Sequence, residues 1–591
     1  MDAIINSYDF DVSQATEIVK KFLLAMDLGL SSDDHGADSL PQVPTFADLP
    51  HGDEKGKFFA LDFGGSGIQC FIVDIDHKQV KVTHNAKKRI ASSIPTGQQL
   101  FGTLAEYVKE FIEEDAKDSI SKDDYTQNPL LGGFSFSFPI QQDDIHKGTL
   151  LYWGKEFIAS GVVGQDVIQL LHESLDQIGL NWIRMCALCN DSVCTLVTEA
   201  LQDEDICISL VLGTGANACY REKSADVKKV TMKRNGFMAI NTEMGAFTGF
   251  PRTVEDDIIL SKTIIKGVQT FEKQISGRYI PLIVCECMER GMRERVILKN
   301  WVQEKFGKES VGKQNDKEWQ YFQDGRHLTA AAMSKIRDDK SNDLNIALTY
   351  LNLCLGQKPS MHLLNIHDTN QSRNIPPSSL SPLSLFPGVL PLNSINSYSQ
   401  QQSETDTLQS PSPVQIHTRQ YTNFFSQESP ETSPNQSASG DNPLITFEDV
   451  QIFQRLIQKI MERSEKYLAV ALTGLIVRIV AFVDPNRRNI HVAAGGSLLN
   501  GSSDFREHVE AYTKQALQIV HTNVCREKPS ELLPQTFQSE TKLELKHQKQ
   551  IQIPQFILPE IKLIPSRDGS GLGAGIIASM SVPVPAPESQ V

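Results

Sequence analysis

The first stretch that could do chemistry is a glycine-rich turn between two apolar runs. The runs, residues 58–61 and 68–73, are typical of β-strands, and Gly64, Gly65 and Gly67 lie between them. Glycines accept a positive φ and allow another group close to the backbone, so the turn can direct N–H groups at a phosphate. Asp62 beside the turn is placed to hold a Mg²⁺ ion. The alternative is an ordinary tight hairpin.

A second copy of the pattern favours the phosphate interpretation. Residues 206–220 again form two apolar runs around a glycine turn, at 213–215. Two further glycine turns follow, at 493–497 and at 568–571. Strand–turn–strand differs from the strand–loop–helix order of Rossmann and Walker nucleotide sites. The repetition therefore predicts two similarly built lobes that face one nucleotide.

Strand and helix patterns elsewhere place these turns in an α/β protein. The stretches 132–138 and 184–188 are typical of strands, and the second ends just before Asn190 and Asp191. A carboxylate at the end of a buried strand is available to a cleft, although Asp191 would equally suit the cap of the helix that follows. Apolar residues at helical spacing predict helices at 13–28, 100–112, 164–175, 195–201 and 447–483.

The composition is that of a globular protein with several domains. The chain has 591 residues, of which 40% are hydrophobic and 22% charged. Its net charge of -15 disfavours binding to nucleic acid or to an anionic membrane, since both need a basic face. The first residues lack the pattern of a secretory signal, so we expect a cytoplasmic protein, with nuclear or mitochondrial-surface association left open. The apolar stretch 467–483 contains Arg478 and is expected to be a core helix rather than a membrane span.

Two stretches differ from the rest in composition. Residues 359–443 are rich in Ser, Pro, Asn and Gln and have too few apolar side chains to offset the entropy of ordering, so we predict a disordered insertion. It is either a surface for protein partners and phosphorylation or a passive loop. Residues 527–556 are charged and rich in Gln, and we predict a second insertion there.

Taken in order, the motifs resemble those of a divergent member of the hexokinase family, in the actin-like ATPase superfamily. The matches span nearly the whole chain outside the two insertions, and the ordered set is far more specific than any one motif. They lie at residues 52–56, 61–65, 136–139, 153–157, 190–191, 213–217, 241–247, 271–277 and 568–571. The resemblance implies an α/β, two-lobed actin-like ATPase (ribonuclease H-like) fold with a sugar and ATP cleft between a small and a large domain.

The resemblance also implies a division of the chain. Residues 1–55 would be an N-terminal helix and lead-in that pack on the large domain, and residues 56–189 would be the small domain. The large domain would comprise 190–358 and 444–567, separated by the insertion 359–443. Residues 568–591 would return to the small domain.

For the site, the resemblance implies transfer of the γ-phosphoryl group of ATP to the 6-hydroxyl of a hexose. Asp191 would be the general base, and Lys155 would neutralise charge on the transferred group. Amides and carboxylates suit a polyol because each can bind two hydroxyls. The sugar contacts would be Ser137, Lys155, Asn190, Asp191, Asn217, Glu243 and Glu272. ATP and Mg²⁺ would be held by Asp62 (through water on Mg²⁺), Gly64, Gly65, Ser66, Gly213, Thr214, Gly215, Gly496, Ser497, Gly569, Ser570 and Gly571.

The chain departs from the family pattern mainly around the phosphates. After the paired glycines the family has Thr-Asn, and Arg two residues later, where this chain has Ser66, Gly67 and Gln69. An amide and a cation are therefore missing from the phosphate side. Gly495 replaces the Asp of the adenosine turn. Gly154 replaces the Thr before the sugar-site lysine, which removes a hydroxyl from the sugar pocket and opens space.

Two functions are compatible with this pattern. The first is an active ATP-dependent hexose kinase, and the space at Gly154 suggests a 2-acetamido sugar such as N-acetylglucosamine as one substrate. The second is a hexokinase-like regulatory protein that binds sugar without useful catalysis and takes part in nutrient or carbon signalling. The presence of Asp191, Lys155 and the sugar-contact set favours the enzyme. A purely structural actin-like protein would have no use for that set.

Overall fold

Two β-sheets with a pair of helices between them organise the chain. The computed structural model describes residues 1–33, 36, 39–65, 67–154, 157–230, 235–263, 267–306, 327–356, 443–526, 551–566 and 569–581. Its strands are β1 (Val43–Pro44), β2 (Lys55–Gly64), β3 (Gly67–Asp76), β4 (Gln79–Lys88), β5 (Leu130–Phe136), β6 (Ile140–Asp144), β7 (Lys147–Leu150), β8 (Ile183–Cys189), β9 (Ile206–Leu212), β10 (Ala216–Lys223), β11 (Phe237–Asn241), β12 (Asn489–Gly495) and β13 (Glu560–Pro565). Its helices are α1 (Asp2–Asn6), α2 (Ala15–Ser31), α3 (Gly97–Glu110), α4 (Val167–Gln177), α5 (Asp191–Ala200), α6 (Val254–Lys262), α7 (Thr270–Ile275), α8 (Ile280–Arg293), α9 (Lys299–Phe306), α10 (Ala330–Arg337), α11 (Asn345–Cys354), α12 (Phe447–Arg478), α13 (Ser497–Gly501), α14 (Ser503–Arg526) and α15 (Gly569–Met580).

The smaller sheet has the strand order β4-β3-β2-β5-β8. Strands β2, β3 and β4 are antiparallel, whereas β2, β5 and β8 run parallel. Side chains on one face of the β2–β3 hairpin, such as Phe59, pack with α3 and α4. Those on the other face, such as Ala60 and Val73, pack towards α15. Burial on both faces explains why the hairpin reads as continuous apolar runs rather than as an alternating pattern.

The larger sheet has the order β1-β11-β10-β9-β12-β13 and supports the larger core. Helices α2 and α12 contribute many of its buried side chains, and the two helices approach closely where Gly474 faces the Phe22 ring. Among the described residues, helix 447–483 alone is long and apolar enough to cross a membrane, and 89% of its most apolar window is buried inside the protein. Its burial is that of a core helix.

Helices α5 and α15 join the two sheets. Helix α5 packs on β9 of the larger sheet, and α15 packs on β2 and β5 of the smaller one. A side chain at Gly573 would overlap the Cys194 backbone, and one at Gly133 would overlap the Ala574 backbone. These glycines therefore let the backbones touch, which gives the two sheets a tightly packed joint.

Three expectations about the chain need revision or lie outside the described residues. The predicted turn at 569–571 is instead the first turn of helix α15. The second predicted insertion extends too far, because Ile553 and Phe556 are buried in the larger core. Of the Ser/Pro-rich insertion 359–443, only residue 443 is described.

Candidate functional site

The first glycine turn is a tight antiparallel hairpin, as predicted. Gly64 pairs with Gly67, which leaves Gly65 and Ser66 as the turn, and Ser66 lies outside the described residues. Asp62, half-buried beside the turn, accepts a hydrogen bond of 2.7 Å from the Ser135 hydroxyl on β5. A carboxylate fixed in this way beside the turn is a suitable ligand for a hydrated cation.

Gly67 is required by the neighbouring strand. Its φ is +122°, and a side chain at this position would overlap the Lys88 carbonyl oxygen at the end of β4. An L-residue would be strained here for both reasons. Where the family has Asn, this chain thus has a glycine that allows β4 to approach the turn closely.

The second and third glycine turns meet each other. Strands β9 and β10 form the second hairpin, with Leu212 paired with Ala216, and its Gly213 N–H donates to the Gly215 carbonyl at 2.9 Å. Gly496 has a φ of +94°, and a side chain there would overlap the Leu212 backbone. The backbone nitrogen and the hydroxyl of Ser497 lie 3.2 and 3.3 Å from the place where a side chain at Gly213 would begin. This cradle of closely packed backbone, in which Gly213 is buried and Gly496 half-buried, exists because side chains are absent.

The start of α5 brings Asp191 and the last glycine segment together. Asn190 is the helix cap, since its side chain accepts the Ser192 N–H at 3.0 Å, and Asp191 is in the first turn. Asp191 is therefore not the cap that the sequence left open as an alternative. Two turns later, Thr198 donates to the Gly569 carbonyl at 3.0 Å. The α-carbon of Gly571 faces the Phe71 ring, so its lack of a side chain is explained by packing.

Three amide or carboxylate groups on β10, β11 and the turn after it form one hydrogen-bonded cluster. The Asn217 amide donates to Asn241 Oδ1 at 2.8 Å and to Glu243 Oε1 at 3.2 Å. The Asn241 amide donates to the same Glu243 oxygen at 2.8 Å. Glu243 adopts a left-handed backbone, with φ of +50°, which turns its side chain back towards the strands. Such strain in a non-glycine residue marks a functional position.

Two other carboxylates face this cluster. Burial, together with the charges of Glu272 and Asp191, raises the pKa of Glu243 from its ordinary 4.5 to about 7, against the hydrogen bonds from Asn241 and Asn217 that lower it. Like charges that share a poorly solvated pocket disfavour ionisation in this way. The pocket thus has several acceptors whose charge a neutral polyol with many hydroxyl donors would stabilise.

Glu272 connects the cluster to the second glycine hairpin. It accepts the Ala216 N–H at 3.0 Å, and a side chain at Gly215 would come within 2.5 Å of its Oε2 atom. Gly215 was predicted to bind the nucleotide, and its lack of a side chain is explained instead by the close approach of Glu272. The hairpin therefore presents Gly213 on one side and a carboxylate on the other.

Several predicted residues need separate mention. Ser137 is buried and donates its backbone N–H to Phe63 at 3.0 Å, next to the first hairpin. Gly64 is buried in the hairpin, and Gly65 and Thr214 are exposed at their turns. Lys155 and the side chain of Ser570 lie outside the described residues.

Sequence reasoning missed two residues of the cluster. Asn241 bridges Asn217 and Glu243, although it was noted only as part of a motif. Gln269 has a left-handed backbone, with φ of +56°, and its Oε1 atom lies where a side chain at Gly245 would be. Gln269 precedes Glu272 by three residues at the start of α7, and this spacing could have indicated it.

The arrangement suits the groups that the sequence predicted. The glycine cradle at Gly213 and Gly496 fits ATP. The half-buried carboxylate of Asp62 fits Mg²⁺. Burial and the contact with Cys189 raise the pKa of the Cys194 thiol, and the negative charge of Asp62 raises it as well. The fit for a polyol is the cluster of Asn217, Glu243 and Glu272.

Comparison with protein families and relatives agrees with this chemistry. Two family profiles, each described as hexokinase, match residues 1–201 and residues 207–375 with 395–580. The chain is 34% identical over 272 residues to Hexokinase-7 of Oryza sativa subsp. japonica, which covers 44% of this chain and 57% of that protein. It is 36% identical over 256 residues to Hexokinase-like 1 protein of Arabidopsis thaliana, and this match covers 42% of this chain and 51% of that protein. The matched stretches thus span about half the length of these relatives.

The fold agrees over a much longer stretch. A hexokinase from Schistosoma mansoni, solved in complex with glucose, superposes with a TM-score of 0.64 at 21% identity and covers 98% of this chain and 97% of that chain. A second hexokinase structure gives a TM-score of 0.60 at 20% identity, with 98% of each chain covered. The predicted α/β, two-lobed, actin-like ATPase fold is confirmed.

Proposed function

This chain belongs to the hexokinase family, and we propose that it is an ATP-dependent hexose kinase. The proposed reaction transfers the γ-phosphoryl group of ATP to the 6-hydroxyl of a glucose-type sugar. The observation that carries the proposal is the meeting of a polyol-binding cluster, Asn217–Asn241–Glu243, with the Asp191 carboxylate at the joint between the two sheets. A carboxylate that reaches a buried cluster of sugar ligands is placed to act on the bound sugar.

Asp191 is the proposed general base. It takes the proton of the sugar 6-hydroxyl as that oxygen attacks the γ-phosphorus, and the bond from the γ-phosphorus to the bridging oxygen breaks as ADP leaves. Its position in the first turn of α5 places it at the positive end of the helix dipole. The Ser192 N–H, which donates to Asp191 Oδ1 at 2.8 Å, and the Thr195 hydroxyl, which donates to the Asp191 carbonyl at 2.9 Å, hold it in place.

The glycine turns have a positioning role in this proposal. The cradle of Gly213, Gly496 and Ser497 would hold the nucleotide, and the first hairpin would face the phosphates. Mg²⁺ held near Asp62 would neutralise charge that develops on the phosphates. Phosphoryl transfer depends mainly on such positioning and charge stabilisation, so the turns contribute most to turnover.

The identity of the sugar is a narrower proposal. No described atom lies within 4 Å of the place where a side chain at Gly154 would be, so among the described residues there is open space at this position. Open space beside the sugar-binding groups accommodates a substituent larger than a hydroxyl. We therefore include N-acetylglucosamine with glucose, mannose and fructose as candidate substrates.

A second function, sugar sensing without useful catalysis, is favoured by one observation. Gly67 and Gln69 occupy the phosphate-side positions, and the close approach of β4 leaves no room for a side chain at Gly67. A hairpin with fewer phosphate ligands would bind ATP weakly while the sugar cluster stays intact. The proposed location is cytoplasmic, and any role in carbon signalling belongs to this second function.

Phosphorylation assays distinguish the two functions. Purified protein with ATP-Mg²⁺ should phosphorylate at least one of the four sugars, as measured by coupled ADP release. Asp191→Asn should lower kcat by about 10³-fold, because it removes the base, and should leave the sugar dissociation constant within a few-fold of that of the unmodified protein. Asp143→Asn, which removes an exposed carboxylate paired with Lys147 at 3.5 Å, is the matched control and should change neither quantity. Sugar binding without any turnover would overturn the kinase proposal and support the sensor.

A further inference from the structure

Tyr152 lies at the rim of the sugar cluster but comes from the opposite side of the cleft. It follows β7, whose Leu150 belongs to the core of the smaller sheet, whereas Asn217 and Glu243 belong to the elements of the larger sheet. The Gln269 amide, on the larger side, lies 3.5 Å from the Tyr152 hydroxyl. These two side chains therefore meet across the mouth of the cluster.

The backbone around Tyr152 is firmly held. The N–H of the preceding Leu151 donates to the Pro139 carbonyl at 3.0 Å. The indole of the following Trp153 donates to the Ala159 carbonyl at 2.7 Å and packs edge-to-face on Phe138, with ring centroids 5.0 Å apart. Because both neighbours are anchored, the tyrosine points to the cleft from a defined position even though 37% of its surface is exposed.

The Tyr152 hydroxyl faces the two carboxylates that we propose to bind sugar. Burial raises the pKa of the phenol, and the charges of Glu243 and Glu272 raise it further, whereas the contact with Gln269 lowers it. The phenol therefore keeps its proton at neutral pH. A protonated phenol both donates and accepts a hydrogen bond, which matches the hydroxyl of a sugar held by the same carboxylates.

The space next to Tyr152 allows it to reach a ligand. Gly154, two residues further on, has no described atom within 4 Å of the place where a side chain would be. Its present partner, the Gln269 amide, is held at a distance typical of a weak hydrogen bond, so exchange for a sugar hydroxyl has a small cost.

We propose that Tyr152 is a sugar-contacting residue that sets affinity and preference among hexoses, through a hydrogen bond between its hydroxyl and one ring hydroxyl of the sugar. This inference rests on the proposed function and deepens it. It assigns to the smaller side of the cleft a sugar contact in addition to Ser137 and Lys155, which the sequence predicted.

The test measures sugar binding directly, without turnover. Tyr152→Phe keeps the ring and removes the hydroxyl, and we expect the dissociation constant for the best-bound hexose to rise about tenfold by isothermal titration calorimetry. The KM for sugar should rise by a similar factor while kcat stays within about twofold. Tyr125→Phe, a tyrosine of the same domain that stacks on Trp182 away from the cleft, is the matched control and should bind sugar as the unmodified protein does.

Monodeoxy sugars identify the contact. If the Tyr152 hydroxyl binds one ring hydroxyl, the deoxy sugar that lacks this group should bind equally to the unmodified protein and to Tyr152→Phe, while the other deoxy sugars keep the tenfold difference. An equal loss for every deoxy sugar would overturn the inference, because it would indicate an indirect effect. Unchanged affinity in Tyr152→Phe would overturn it as well and leave the proposed function standing. If the unmodified protein binds no hexose, both the proposed function and the inference are wrong.

Discussion

The two walls of the cleft are built by different means. On the sugar wall, side chains such as Asn217, Asn241 and Glu243 hold each other through hydrogen bonds. The phosphate wall consists of the first glycine hairpin and the cradle around Gly213 and Gly496, where backbone segments pack closely because side chains are missing. Side-chain networks depend on residue identity, whereas a backbone cradle depends on shape. The departures from the family pattern are accordingly concentrated on the phosphate wall.

Two of these departures, both to glycine, differ in what surrounds them. At Gly67 the Lys88 carbonyl occupies the place of a side chain and φ is positive. At Gly154 the corresponding space is open, and φ is not in the left-handed region. A glycine enclosed by backbone cannot be exchanged, while a glycine beside open space can. The fold therefore requires glycine at position 67, whereas it does not require glycine at position 154.

The largest expected effect tests this contrast with the same substitution at both places. Gly67→Ala should lower the free energy of unfolding by about 3 kcal/mol, since it combines a positive φ with overlap on the β4 backbone. Gly154→Ala should change it by less than about 0.5 kcal/mol. Denaturant unfolding measures both values. Similar losses in the two variants would contradict the contrast between an enclosed and an open glycine.

A smaller effect is expected from the centre of the sugar wall. In Glu243→Gln the new amide would leave the Asn217 and Asn241 donors with one neutral acceptor in place of a carboxylate. Loss of charge-assisted bonds of this kind costs about 2 kcal/mol, so the sugar dissociation constant should rise by about thirtyfold. Glu204→Gln, at an exposed carboxylate paired with Lys78, is the control. Undiminished sugar affinity in Glu243→Gln, measured by calorimetry, would exclude Glu243 as a ligand.

The pH dependence of sugar affinity follows from the same residue. With a pKa of about 7, Glu243 goes from mostly protonated to mostly ionised between about pH 6 and pH 8, and the ionised form is the better acceptor. Sugar affinity should therefore rise about tenfold over this range, and the rise should be absent in Glu243→Gln. A flat profile in the unmodified protein would contradict this role.

The stability of the sugar-free protein should have the opposite dependence. Because the folded-state pKa of Glu243 is above its ordinary 4.5, the folded state keeps a proton that the unfolded chain has lost. This contribution is present below about pH 4.5 and is lost as the pH rises through about 7. The difference in thermal stability between the unmodified protein and Glu243→Gln, measured at several pH values, gives the contribution of Glu243.

The sequence predicted the fold well because glycine turns and apolar runs are local patterns. The hairpins at 64–67 and 213–215 and the strand before Asn190 lie where these patterns placed them. The start of α15 was missed because Gly569 and Gly571 are poor helix formers, and tertiary packing on Thr198 and Phe71 overrides that preference.

The candidate site was less predictable, because its geometry depends on contacts between distant segments. Nothing local to Gly215 shows that Glu272 lies against it. Likewise, Tyr152 and Gln269 are separated by 117 positions, and only the folded chain brings them together. The sequence predicted which residue types form the sugar wall, but it did not predict which residues they contact.

The smallest expected effect concerns a cation on the phosphate wall that sequence order alone conceals. Gln69 occupies the position where the family has Arg, but in the sheet Gln69 pairs with Lys87 on β4, and on its other side with Asp62. Directly paired residues share a face of the sheet, so Lys87 lies in the row of Asp62 and Gln69 next to the first hairpin. An exposed lysine on that row should attract the phosphates of ATP modestly.

Lys87→Ala should raise the KM for ATP by about threefold and leave the KM for sugar unchanged. Lys81→Ala removes the same charge further along β4, opposite Asp74, and should change neither value. If both lysine variants raise the KM for ATP equally, the change in KM reflects the net charge of the protein. Lys87 would then not replace the missing arginine.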